Sequence, residues 1–206
     1  MTRRIFTALA LLSVVILTVG ASRKSDELKR MSIFISNFTE AGLCYNFDVD
    51  EDSDSDLEHL GKPENVGELI RFGIIHNVLN NPKSAIKKCP DSKCEYGHHI
   101  ISGQSVAASV MKYFNKSIKN QSIDGECYYD GKNYHIEAAD WKPETIYYAD
   151  VQRVNYEGNM IVMEGEIYNV KDKKDRPATF LAIAKPHEWD GKDTWSIDTM
   201  NVSWEE

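Results

Sequence analysis

The densest grouping of reactive side chains is Cys89-x4-Cys94-x3-His98-His99. Thiolates and imidazoles are zinc ligands, and two of each would complete a tetrahedron. The spacing fits no established zinc pattern, however, and neighbouring histidines point apart unless the backbone turns sharply. The chain opens on a leader-type segment, and in an exported protein an even cysteine count reads as disulfides. Pro90, Asp91, Ser92 and Lys93 make a turn-like insert that would let Cys89 and Cys94 meet. The expectation is therefore a Cys89–Cys94 disulfide and no metal. The pairing of the remaining two cysteines, Cys44 and Cys127, stays open. A cysteine nucleophile would need one lone thiol beside a base, which four thiols in an oxidising compartment do not offer.

Other groups have weaker chemical patterns. Asp48, Asp50, Asp52, Asp54 and Asp56 alternate as calcium ligands do. Counted from Asp50, Ser55 replaces the turn glycine of a calcium loop and Gly61 its bidentate glutamate, so the stretch reads as a solvated loop. Glu164 and Glu166 share one strand face, a spacing compatible with glycosidase carboxylates, but carboxylates on exposed strands are commonplace. His76 lies among apolar residues at helical spacing and is expected to be a hydrogen-bonded core residue. His76 or His135 would be the base if the protein were an enzyme. No nucleophile elbow, zinc-protease helix, phosphate loop or dinucleotide fingerprint occurs. No cofactor is implied. Ten tyrosines and four tryptophans concentrate near the C-terminal half, where strand aromatics fill cores or form cross-strand pairs. An exposed row of them could stack sugars or grip a peptide, and Tyr148, Trp195 and Trp204 are the candidate binding residues.

These groups need a scaffold, and the sequence outlines one. Arg3 and Arg4, an apolar run from Ile5 to Val19, and small residues at Val19 and Ala21 make an export signal over residues 1–21. The apolar run is shorter than the ~20 residues of a membrane span, and no later stretch is apolar enough to cross a bilayer. The chain carries 32 acidic against 24 basic residues, a net charge of −8. That balance repels phosphate backbones, so nucleic acid is a poor partner. Residues 22–206 then form a single domain, with a helical part over 22–122 and a sheet part over 123–206.

Within the helical part, a short helix is expected from Asp26 to about Phe34, followed by an extended piece. Pro63, Glu64 and Pro82 bracket a helix over Glu64–Asn80. Val66, Ile70, Gly73, Ile74 and Asn77 line one side of it. Leu69, Phe72, Ile75, His76 and Leu79 line a second side, so this helix should be largely buried. A second helix over Ser105–Ile118, capped by Ser102 or Ser105, follows a connecting segment. Asp130-Gly131 marks a hairpin. Four β-rich runs from Ile146 onward are separated by Glu157-Gly158-Asn159, Lys171–Pro177 and His187–Asp193. Helices followed by a meander predict an α+β fold, with helices packed on one face of a curved antiparallel sheet. NTF2-like and cystatin-like folds share that order of elements.

The segments ISNFTE (35–40), RFGIIHN (71–77) and DGKNYHIEAAD (130–140) resemble stretches of uncharacterised exported proteins of gut-type bacteria. That resemblance implies an envelope setting and carries no activity. The expected function is an exported, non-enzymatic binding or interaction module, taking a small molecule, glycan or peptide on the concave sheet face. The rival is a small hydrolase or isomerase with a pocket between helices and sheet.

Overall fold

A computed structural model describes residues 25–43 and 66–205. The leader, Cys44 and the aspartate run lie outside these residues. The order of elements is α1 (25–39), α2 (Val66–Asn80), α3 (Pro82–Ala85), β1 (Ile86–Lys88), β2 (His99–Ser102), α4 (Gly103–Phe114), β3 (Tyr128–Tyr129), β4 (Asn133–Ile136), β5 (Tyr147–Glu157), β6 (Met160–Asn169), β7 (Ala178–Trp189) and β8 (Lys192–Trp204). The class is α+β, as expected. All strand pairs are antiparallel, but they form two four-stranded sheets, β1-β2-β4-β3 and β5-β6-β7-β8.

Helix α2 explains the architecture. Its two apolar stripes are too wide for one partner, and they serve two cores. Leu69 and Phe72 join α1, α4 and the β5–β8 meander, against Met163, Phe180 and Met200. Ile70, Ile74 and Val78 instead meet the small sheet through Ile101, Tyr134 and Ile136. Gly73 lets α4 come close, since a Cβ there would lie 2.7 Å from the Val106 side chain. Among the described residues no helix is long and apolar enough to cross a membrane.

The meander runs in the expected order with period-two burial, most plainly in β7, where Ala178, Phe180, Ala182 and Ala184 face inward. Its last turn is tighter than the expected loop over His187–Asp193. The strands continue to a two-residue turn at Asp190 and Gly191, both at positive φ (53° and 68°), the geometry whose twist matches flanking strands. Ser102 caps α4 by accepting from Ser105 N at 3.0 Å. The helix stops at Asn115 in the left-handed region (φ 51°), short of Ile118.

Three further expectations need correction. The Asp130-Gly131 hairpin forms as β3–β4, with Tyr129 opposite Tyr134, but β4 pairs with β2, so it belongs to the small sheet and not to one sheet with the meander. The segment expected only to connect helices supplies β1 and β2. Helix α1 continues through residue 39, where an extended piece was expected after Phe34. Burial of Phe34, Ile35 and Phe38 outweighs the weak helix propensity of the intervening serine and asparagine.

Candidate functional site

Ser32, Ser36 and Thr39 recur at helical spacing along α1, and that stripe faces the edge of β5 away from β6. Val151 N donates to Ser32 Oγ at 2.9 Å, Ala149 N donates to Ser36 Oγ at 3.0 Å, and Thr39 Oγ1 donates to Tyr147 O at 2.8 Å. The serine hydroxyls in turn donate to carbonyls four residues back. An edge strand normally offers such amides to another chain; here a helix has taken them.

Beside this seam lies a groove of about 840 Å³, bordered by Lys29, Glu40, Asn80, Tyr148, Asp150 and Tyr168 among others. Its size is within the usual range for small-molecule sites. Glu40, in the turn ending α1, is 6% exposed, and burial raises its pKa above the ordinary carboxyl value despite a bond from Asn80. Tyr148 and Tyr168 pair across β5 and β6 with ring centroids 6.2 Å apart. Arg176 sits over the Tyr168 ring and pairs with Asp150 (2.9 Å) and Glu166 (2.5 Å).

His76 stands behind this groove. It is buried and stacks on Phe72 at 5.7 Å, with Tyr113 edge-on at 4.8 Å. Burial and the Lys112 charge lower its pKa to about 4, so it is neutral at pH 7. The Asn80 amide contacts both the Glu40 carboxyl and His76 Nδ1, the latter at 3.2 Å. Asn80 therefore donates to the Nδ1 lone pair, which leaves the ring proton on Nε2. The histidine orients an amide; it does not line the groove.

The three candidate binding aromatics are not brought together. Trp195 and Trp204 lie on the helix-covered side of β8, packed against the main core. Trp195 meets Phe34 at 5.7 Å and borders a separate hollow of about 440 Å³ with His187 and Glu188. Trp204 meets Tyr147 at 5.5 Å. Tyr148 alternates to the opposite face and is the one of the three that borders the large groove. Glu164 and Glu166 share that outer face, where Arg153 (3.0 Å) and Arg176 engage them.

The cysteines form a second cluster. Cys89 and Cys94 are not at disulfide-bonding distance in the structure, where the sequence led to a bridge between them. Both sulfurs instead approach His135 of β4, each 3.4 Å from Nδ1. Two features hold them there. Cys89 N donates to His98 O at 2.8 Å, extending the β1–β2 ladder, while Cys94 N closes the turn on Asp91 O at 3.3 Å. The opposite ring nitrogen, Nε2, lies 3.0 Å from Asp130 Oδ2. His98 and His99, the nearer histidines in sequence, face Glu137 instead, each with Nδ1 at 3.2 Å. Cys127 is buried in the smaller core, and burial raises its thiol pKa.

The sequence offered no local signal for Glu40, Asn80 or the serine stripe as a site, although Ser32-x3-Ser36 does mark one helix face. Comparison with known proteins finds no matching family model, no similar curated protein and no similar solved structure.

Proposed function

We propose that the protein is an exported binding module for a short carbohydrate, taken up in the groove between α1 and the outer face of β5. The observation that carries this reading is the composition of the groove: two tyrosines beside Glu40 and Asp150. Aromatic faces suit the apolar side of a sugar ring, while carboxyl groups accept strongly from its hydroxyls. A peptide added as a strand is disfavoured at this edge, because the Ala149 and Val151 amides already donate to α1. The leader-type N-terminus supports export.

A screen of the mature protein against glycans by thermal shift tests the proposal, since a ligand specific to the native state raises the melting temperature. Tyr148→Ala and Glu40→Gln should each weaken the best hit by about 10- to 100-fold, the usual cost of losing a strong contact. Binding that survives both substitutions would remove the groove from consideration. One observation favours an enzymatic second reading: the raised pKa of Glu40 suits a general acid. Glycoside turnover that disappears in Glu40→Gln with binding retained would establish it.

A further inference from the structure

We propose that Cys89, Cys94 and His135 hold a divalent zinc-class ion, with Asp130 orienting the imidazole. The three ligand atoms lie within 4.8 Å of one another. A tetrahedral ion with Zn–S near ~2.3 Å and Zn–N near ~2.05 Å separates sulfur from nitrogen by about 3.5 Å. The two observed sulfur–nitrogen distances are both 3.4 Å.

The hairpin supplies an independent observation. Asp130 Oδ1 accepts from the backbone amides of Lys132 (2.8 Å) and Asn133 (2.6 Å), which fixes the carboxylate. Its other oxygen takes His135 Nε2 at 3.0 Å. A carboxylate on Nε2 keeps the proton there and leaves the Nδ1 lone pair directed at the two sulfurs. Metal-binding histidines are oriented in this way, through the nitrogen that does not touch the ion. Soft thiolates with one imidazole favour zinc over calcium or magnesium.

The ion would join the 89–94 turn to the β3–β4 hairpin. Three protein ligands leave a fourth position for water, and Tyr128, 5.7 Å from the His135 ring and 5.7 Å from Tyr96, flanks the cluster. The inference stands apart from the groove and its ligand.

Titration of the reduced protein with Co(II), then Zn(II), is the test. The expected result is one Co(II) per chain with thiolate-to-cobalt absorption, displaced by one Zn(II), and a higher melting temperature with zinc. Cys94→Ser and His135→Ala should abolish the absorption. Asp130→Asn should weaken affinity by about 10- to 100-fold, the usual effect of losing an orienting partner. Near-UV circular dichroism checks that each variant is folded, and Asp130→Asn keeps the test decisive if another variant is not. Absence of the thiolate band, unchanged uptake by folded Cys94→Ser, or a Cys89–Cys94 disulfide in protein isolated without reductant would each overturn the proposal.

Discussion

Replacing His76 with glutamine should remove a defined part of the protein's acid sensitivity. The native ring titrates at about 4, against an ordinary value of 6.5, chiefly because it is buried. Well above pH 6.5 the ring is neutral whether the chain is folded or not, so the group contributes no pH dependence there. As pH falls from 6.5 the unfolded chain takes the proton first, and stability is lost until the native ring also protonates near pH 4. The full difference is on the order of 3 kcal/mol, at ~1.4 kcal/mol for each tenfold change in proton affinity. Between pH 7 and pH 5 the loss is about 2 kcal/mol by the same linkage. Urea unfolding of wild type and His76→Gln at both pH values measures it. The variant should start about 1–3 kcal/mol less stable at pH 7, the cost of disturbing a buried polar contact. It should then lose about 2 kcal/mol less than wild type on acidification. Equal losses in the two proteins would refute the reasoning.

Glu40→Gln should stabilise the protein at pH 8 and progressively less towards pH 4. A raised native carboxyl pKa costs stability once the unfolded chain has ionised, and the urea midpoint reports it. Gly165→Ala should destabilise by about 1–3 kcal/mol or more, because the added Cβ would sit 2.1 Å from Asp150 O beside the β5 bulge; thermal unfolding checks this. Ser36→Ala leaves the buried Ala149 amide without its acceptor. It should cost about 1–3 kcal/mol and speed hydrogen exchange at Ala149. Mass spectrometry of exported protein should find the mature chain beginning near Ser22; retention of residues 1–20 would contradict the leader assignment.

Long amphipathic elements are legible because their periodicity is written in many residues at once. The two stripes of α2 foretell a buried helix, and the β-rich runs bounded by turn residues from Ile146 onward foretell the meander. Of the small sheet only the β3–β4 hairpin is legible, from its Asp130-Gly131 turn; β1 and β2 span three and four residues, and so few positions cannot establish a period. Helix α1 looks shorter in the sequence than in the structure because Ser32, Ser36 and Asn37 are weak helix formers in isolation. Their local hydroxyl and amide bonds and the edge of β5 become visible only when the chain is folded.

The candidate sites follow the same division. His76 can be placed in the core from its apolar neighbours alone. The Cys89–His135 and Cys94–His135 contacts, by contrast, join residues 46 and 41 positions apart. The pairing of β1 with β2 and of β2 with β4 aligns them, and proximity in the sequence points to His98 and His99 instead. Glu40 meets Asn80 across 40 residues, with no motif to mark either. Trp195 and Trp204 resemble surface aromatics by composition, but their register places them under the helices.

The most direct test of the proposed function is a backbone-amide NMR titration of the mature protein with the best carbohydrate from the screen. The account predicts saturable shifts centred on Asn80, Ala149, Val151 and Tyr168, absent in Tyr148→Ala. Shifts centred instead on His187 and Trp195, or no saturable shift with any carbohydrate tested, would contradict it.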